Sequence, residues 1–178
     1  MRRGRSFLIW LVIIALGAAL AEGVREWRTM RASAPPASTG VAFSGRARVS
    51  DGDSLEIAGR RVRLFGIDAP EFHQDCRTAA GLAYDCGMAA RRALENLAGS
   101  DAVTCTPVGA SHDRSVAICR ANGRDLGEEL VRSGHALELK NFSRGRYGAA
   151  EREARAARRG LWAGSFEEPA AWRREHGR

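Results

Sequence analysis

Alternating hydrophobic and polar residues predict three consecutive strands at the start of the folded domain. In residues 41–49, the apolar residues Val41, Phe43, Ala47 and Val49 alternate with other, mostly polar residues. This is the pattern of a strand with one buried face. Two further strands are predicted at residues 55–57 and 61–67. Turn-forming residues separate the strands, Asp51-Gly52-Asp53 first and Ala58-Gly59-Arg60 second. The pattern therefore predicts a three-stranded meander.

The remaining pattern alternates between helical and extended segments. A helix is predicted at residues 87–97, where Met88, Leu94 and Leu97 share one side and Gly99 ends it. The other predicted elements are strands at 102–108 and 115–120, a short helix around 126–131, a brief strand at 136–139 and a helix at 147–159. This order is typical of an OB-fold. The sequence thus predicts an α+β protein: a five-stranded OB-fold β-barrel with about three helices.

An apolar segment precedes this domain. Residues 1–5 are basic, residues 7–21 are uncharged and strongly apolar, and Ala19-Leu20-Ala21 resembles a cleavage site. The apolar run is shorter than the ~20 residues that a spanning helix usually needs. We expect residues 1–21 to be a signal peptide, with a membrane anchor attached through residues 6–21 as the alternative. Both predict export, to the periplasm, to the medium or to the membrane surface.

Composition suggests how the rest of the chain is divided. Residues 22–40 are polar and irregular, with two consecutive prolines, and we interpret them as a linker. The predicted domain covers residues 41–164, and residues 165–178 are interpreted as a basic tail. The formal net charge of +7 suggests a polyanionic partner, which means nucleic acid or anionic lipid headgroups.

Four cysteines suit an exported protein, since disulfides persist in oxidising compartments. None forms a Cys-x-x-Cys pair, which argues against a zinc site. Cys105 and Cys119 lie on two strands that we expect to pair as a hairpin. Cys76 and Cys86 would close a loop before the first helix. Among the possible connectivities, we predict these two disulfides.

Two carboxylates at strand ends suggest a cation site. Asp53 leaves the first turn and Asp68 follows the third strand. Ca²⁺ prefers oxygen ligands, and the backbone carbonyl of Ala69 could add a third oxygen. The run DGDSLE is not an EF-hand loop, because its glycine and later acids are misplaced. Substrate and water would therefore complete the coordination.

Three more polar residues suggest hydrolytic chemistry beside that cation. Glu71 follows Asp68 after a turn fixed by Pro70, which suits a general base acting on water. Arg63 and Arg114 could grip a phosphodiester and neutralise its developing charge. The sequence offers no Ser-His-Asp or Cys-His arrangement that would compete with this interpretation.

These residues carry a family resemblance. The segment VSDGDSLEIAGRRVRLFGIDAPE resembles the thermonuclease, or staphylococcal-nuclease-like, family, whose pattern is a DGD-T/S turn followed by Arg-x-x-x-x-Asp-x-Pro-Glu. DRSVAIC, GRDLGEELVRSGHA and AAEREARAARRGLW resemble its later blocks, so the resemblance covers residues 41–164. It implies an OB-barrel and Ca²⁺-dependent hydrolysis of DNA and RNA that leaves 3′-phosphate ends.

The resemblance also implies a role for each matching residue. Asp53, Asp68 and the carbonyl of Ala69 correspond to calcium ligands. Glu71 corresponds to the general base, and Arg63 and Arg114 correspond to the phosphate-binding arginines.

The sequence departs from the family pattern at two places. Ala69 stands where many members have threonine, a change that preserves a backbone ligand but removes a hydroxyl. The usual DRYGR run is shortened to DR, which removes a tyrosine. Arg114 is assigned because it directly precedes SVA, where the family arginine lies.

Three functions are compatible with these features. The first is an exported, monomeric nuclease acting on DNA and RNA. The second is a non-catalytic OB-fold module that binds nucleic acid at the cell envelope. The third is an envelope-anchored adaptor whose arginine-rich helices contact lipid headgroups. The acidic set Asp53, Asp68 and Glu71 favours the nuclease, since neither alternative requires it.

Overall fold

The computed structural model describes residues 36–177. Its strands are β1 Phe43–Val49, β2 Ser54–Ile57, β3 Arg60–Leu64, β4 Ile67–Asp68, β5 Asp75–Arg77, β6 Ala83–Asp85, β7 Ala102–Ser111, β8 Arg114–Ala121, β9 Arg124–Asp125 and β10 Leu137–Glu138. Its helices are α1 Cys86–Ala98, α2 Leu126–Arg132, α3 Lys140–Ser143, α4 Gly148–Ala156 and α5 Pro169–His176, with a 3₁₀ turn at Gly160–Ala163.

Strands β1, β2, β3, β7 and β8 close into a barrel. Neighbouring strands pair in the order β3-β2-β1-β7-β8, with every one of these pairs antiparallel. A parallel pairing between β3 and β8 closes the circle, with Val62 opposite Ser115 and Arg63 opposite Val116. The predicted five-stranded barrel is therefore confirmed.

The barrel interior is filled by the apolar residues that alternate along these strands. Leu55, Ile57, Val62 and Leu64 are all buried, and each such side chain contributes about 1.5–3 kcal/mol by leaving water. Helix α1 covers one side with a buried stripe that includes Ala90, Leu94 and Ala98. This helix also packs against the loop that follows β4, and so it helps to position the candidate site.

The segment predicted as one strand over residues 61–67 is interrupted at Gly66, so that prediction was wrong in its extent. Gly66 has a φ of +70°, a conformation that glycine adopts without steric cost. The chain leaves the barrel there, and β4 pairs with β10 instead, with Asp68 opposite Leu137. The break moves Asp68 from the barrel wall to one end of the barrel.

The three predicted helices correspond to α1, α2 and α4, and the structure adds α3 and α5 within residues 36–177. Helix α5 lies in the segment that the sequence analysis treats as a basic tail. Pro169 occupies its first turn, a position where proline is favoured because no helical hydrogen bond is lost.

Both predicted disulfides are present. Cys76 on β5 is bonded to Cys86, the first residue of α1. Cys105 and Cys119 face each other directly across β7 and β8. The first disulfide links the hairpin formed by β5 and β6 to α1, and the second links the two strands of the hairpin formed by β7 and β8.

The expected signal peptide or anchor at residues 1–21, and most of the expected linker at residues 22–40, lie outside the described residues. Within residues 36–177, no helix combines the length and hydrophobicity needed to span a membrane.

Candidate active site

The Asp51-Gly52-Asp53 turn is wedged between the end of β4 and α1. The Asp53 backbone N–H donates to Asp51 Oδ1 at 3.1 Å, which fixes the turn. A Cβ atom on Gly52 would lie 2.7 Å from the Cβ atoms of both Ala69 and Ala90. The turn therefore lies so close to the residue after β4 and to α1 that only glycine fits at this position.

Arg63 contacts both carboxylates among the predicted metal ligands. Its Nη2 atom lies 2.7 Å from Asp53 Oδ2 and 3.0 Å from Asp68 Oδ1. Both aspartates are buried. Two carboxylates that approach β3 from different elements therefore converge on one nitrogen atom.

The carboxyl of Asp53 is electrostatically unusual. Burial raises its pKa to about 7, and the positive charge of Arg63 only partly opposes this shift. The neighbouring carboxylates of Asp51 and Asp68 raise the pKa further, while a hydrogen bond from Ser54 lowers it. Burial thus favours the neutral form of the Asp53 carboxyl, whereas a cation beside it favours the charged form.

Ser54 connects the acidic pair to Arg114. Its hydroxyl donates to Asp53 Oδ1 at 2.8 Å and accepts a long hydrogen bond of 3.5 Å from Arg114 Nη1. Arg114 is the first residue of β8. This strand pairs in parallel with β3, and β3 carries Arg63. The structure therefore brings the two predicted arginines to the same end of the barrel.

Glu71 is positioned through the fully buried side chain of Gln74. The Glu71 N–H donates to Gln74 Oε1 at 3.0 Å, and the Gln74 N–H donates to the Glu71 carbonyl at 2.8 Å. Gln74 Nε2 donates in turn to the carbonyl of Glu167 at 2.7 Å. The loop that carries the predicted base is therefore anchored to the C-terminal segment.

The first turn of helix α1 packs against the loop that carries Glu71. A Cβ atom on Gly87 would lie 1.9 Å from the backbone oxygen of Glu71. The N–H of Cys86 donates to the carbonyl of Gln74 at 3.0 Å. The first turn of α1, stapled by its disulfide to β5, thus defines where the Glu71 backbone lies.

Arg173 on α5 is a site residue that the sequence analysis did not find. Its Nη1 and Nη2 atoms lie 2.9 and 3.0 Å from the two carboxylate oxygens of Asp68. Nη1 also donates to Glu71 Oε1 at 2.6 Å. Hydrogen bonds to Asp68, and then to Glu71, raise the pKa of this guanidinium against the opposing effect of partial burial. The helix-start signal at Pro169 was the available sequence clue.

The donor set fits a hard divalent cation that shares its coordination with water and substrate. Asp53 and Asp68 already converge on a single cationic nitrogen, and carboxylates are ligands that Ca²⁺ prefers. Ala69 follows Asp68 directly, and its methyl group is packed at the Gly52 turn, which fixes its backbone. Within the part of the chain that the structure describes, no cluster of three or more His, Cys, Asp or Glu side chains could hold a metal by itself.

Comparison with known proteins agrees with this geometry. The family described as staphylococcal nuclease homologue matches residues 61–164. The chain belongs to this family. Membership indicates nuclease chemistry and nucleic-acid substrates at the level of the family. Arg63, Asp68, Glu71 and Arg114 lie within the matched range, whereas Asp53 precedes it and Arg173 follows it.

Several curated proteins are similar over most of this chain. The succinoglycan biosynthesis protein ExoI of Rhizobium meliloti (strain 1021) is 37% identical over 132 residues, which cover 72% of this chain and 69% of ExoI. Two probable staphylococcal-like nucleases of Oryza sativa subsp. japonica, CAN2 and CAN3, are each 36% identical over 136 residues. Those matches cover 74% of this chain but only 34% and 33% of the rice proteins.

Proposed function

We propose that this protein is an exported, calcium-dependent nuclease that hydrolyses phosphodiester bonds of DNA and RNA. The observation that carries the proposal is the convergence of Asp53 and Asp68 on Arg63, with Glu71 and Arg114 at the same end of the barrel. Two buried acids, a further carboxylate and two arginines form a set that suits metal-assisted phosphodiester hydrolysis.

Asp53, Asp68 and the backbone carbonyl of Ala69 would hold the calcium ion. When bound, Ca²⁺ supplies positive charge that polarises the scissile phosphate and stabilises its developing negative charge. Glu71 then acts as the general base that takes a proton from the attacking water. Its backbone is held by Gln74 and by the first turn of α1, so its carboxylate is presented from a rigid loop.

Arg63 and Arg114 would bind the phosphate. Each guanidinium can donate two parallel hydrogen bonds to phosphate oxygens, a geometry that lysine cannot reproduce. Their strands are parallel neighbours in the barrel wall. Ser54 lies between Asp53 and Arg114, which couples the phosphate-binding side of the site to the cation-binding side.

The substrate class follows from the charge and from the roles assigned to these residues. A net charge of +7 attracts the polyanionic backbone of nucleic acid. The proposed contacts are made to the phosphodiester group and not to a base or a 2′-hydroxyl. We therefore expect cleavage of both DNA and RNA by a monomeric enzyme.

The proposed location rests on the disulfides and on the N-terminal sequence. Both cysteine pairs are bonded, and such bonds persist in oxidising compartments. Together with the signal-like residues 1–21, they support export, either to the periplasm or medium or to the membrane surface as an anchored protein.

Digestion assays with the full-length, oxidised protein test the activity. Single-stranded DNA and RNA are incubated with Ca²⁺, with a chelator, and with the chelator followed by excess Ca²⁺. We expect cleavage of both substrates, its loss with the chelator and its return with calcium. A folded protein that binds DNA but never cleaves it would refute the nuclease and support the nucleic-acid-binding module.

A further inference from the structure

The C-terminal segment is attached to the site loop by specific contacts. Arg77 and Ser165 exchange two backbone hydrogen bonds of 2.9 and 3.1 Å. A Cβ atom on Gly164 would lie 1.9 Å from the Arg77 carbonyl oxygen, so the two backbones are in close contact. Gln74 then holds the carbonyl of Glu167. These contacts place α5 beside the end of the barrel where Asp68 and Glu71 lie.

At that end, Arg173 binds both oxygens of Asp68 and one oxygen of Glu71. The Asp68 carboxylate is thereby engaged by two guanidinium groups, because Arg63 also contacts its Oδ1 atom. The next residue on the helix, Arg174, is exposed and contacts neither acid. The interaction therefore belongs to one residue and not to the general basicity of α5.

We propose that Arg173 is a tethered cation that takes the place of the divalent ion in the metal-free protein, and that cation binding releases it from Asp68 and Glu71. This inference rests on the proposed function of the site. Asp68 Oδ1 accepts hydrogen bonds from both Arg63 and Arg173, and Oδ2 accepts one from Arg173, so three of the roughly four lone-pair sites of this carboxylate are already used. A guanidinium and a divalent cation also repel each other at such short range.

Release of Arg173 would also change Glu71. Arg173 Nη1 donates to Glu71 Oε1, an oxygen that could otherwise accept the proton of the attacking water. Once Arg173 leaves Asp68, this hydrogen bond loses the second acceptor that positions the guanidinium. Cation binding would thus complete the metal site and remove the Arg173 hydrogen bond from Glu71 in one step.

Competition between two cations for one carboxylate is reciprocal. If Arg173 opposes the metal ion, the metal ion must loosen α5 to the same extent in free energy. Removal of the guanidinium should therefore raise calcium affinity by about ten-fold, within the usual 5–150-fold range of coupling between two ligands. Calcium should in turn increase backbone exchange in residues 169–176.

The test measures calcium binding without substrate, by titration calorimetry of the full-length oxidised protein and of R173Q. R174Q is the matched control, because it removes the same charge one residue away. We expect R173Q to bind calcium about ten-fold more tightly than wild type, with R174Q within about two-fold of wild type. R173K should be intermediate, because an ammonium group keeps the charge but cannot grip both oxygens of Asp68.

Hydrogen exchange supplies a second readout that does not depend on activity. Calcium should accelerate amide exchange in residues 169–176 of the wild type and of R174Q. In R173Q this segment should exchange rapidly with or without calcium.

Equal calcium affinity of R173Q, R173K and R174Q would overturn the tethered cation and leave the proposed calcium site intact. Absence of calcium binding in every variant, with no cleavage by the wild type, would overturn the proposed function and this inference with it.

Discussion

Gln74 and Glu71 are joined by two reciprocal hydrogen bonds. The Gln74 side chain accepts the Glu71 N–H at 3.0 Å, and its backbone N–H donates to the Glu71 carbonyl at 2.8 Å. Because Gln74 is fully buried, water cannot replace either partner at its side chain. The position of the proposed general base therefore depends on a residue that has no chemical role of its own.

The change Gln74→Met tests this dependence. Methionine has a similar length but cannot pair with the Glu71 N–H or the Glu167 carbonyl, both of which Gln74 binds. Leaving such groups unpaired should lower the free energy of unfolding by about 1–3 kcal/mol. Urea denaturation measures the loss, and turnover should fall as well. An unchanged denaturation midpoint would show that Gln74 does not hold this loop.

The change Gly87→Ala should be harmful although alanine has the higher helix propensity. The added methyl group would lie 1.9 Å from the Glu71 carbonyl oxygen, so either α1 or the Glu71 loop must move. We expect lower turnover and a lower melting temperature. Gly40→Ala is the control, because its methyl group would meet Pro107 at an ordinary distance of 3.6 Å. Equal behaviour of the two variants would show that Gly87 does not constrain the position of the Glu71 loop.

Arg63→Lys should reduce turnover by about 10-fold to 100-fold, the loss of about 1.5–3 kcal/mol expected for hydrogen bonds to a charged group. The matched control is Arg61→Lys on the same strand, where the arginine is exposed and pairs with Asp113. Steady-state rates on single-stranded DNA should leave the control near wild type. A similar loss of activity in both variants would show that Arg63 has no specific role in binding the phosphate.

His135 should make the fold sensitive to acid. It lies with Tyr84, Cys86 and Leu161 around a small cavity of about 60 Å³, and burial lowers its pKa. The unfolded chain then binds the proton more readily than the folded chain. The contribution of His135 to stability is complete above its unfolded pKa of about 6.5 and is lost as the pH falls through the lower folded pKa.

Denaturation curves of wild type and His135→Asn between about pH 7.5 and pH 5 measure this contribution, over the window around the unfolded histidine pKa. Asparagine retains a polar atom near the Nδ1 position, which lies 3.0 Å from Ser133 Oγ. The variant should lose less stability than wild type on acidification. Identical pH slopes would exclude His135 as the group responsible.

Much of the barrel could be predicted because local pattern and tertiary structure agree there. Val62 and Leu64 alternate with charged residues and both face the core. The disulfide between Cys105 and Cys119 was predictable from the register of one hairpin. The break at Gly66 was not, since a positive φ within an apolar run leaves no trace in the alternation of residues.

Helix α5 illustrates what local sequence cannot supply. It has only eight residues, Pro169–His176, too few to form a stable helix without tertiary contacts. Gln74, far away in the sequence, binds the carbonyl of Glu167 just before the helix, and the Asp68 carboxylate binds Arg173 within it. The candidate acids and arginines could be named from sequence motifs, but Arg173 required the folded structure.

The most direct test of the central claim is the turnover of Glu71→Gln on single-stranded DNA with saturating calcium. Glutamine can still accept the hydrogen bond from Arg173 but cannot take a proton from water. Glu95→Gln, at a partly exposed position on α1 where Glu95 pairs with Arg91, is the control. We predict a fall of roughly 10²–10⁴-fold for Glu71→Gln, the usual contribution of a general base, and none for the control. Near-normal turnover of a folded Glu71→Gln protein would contradict the account.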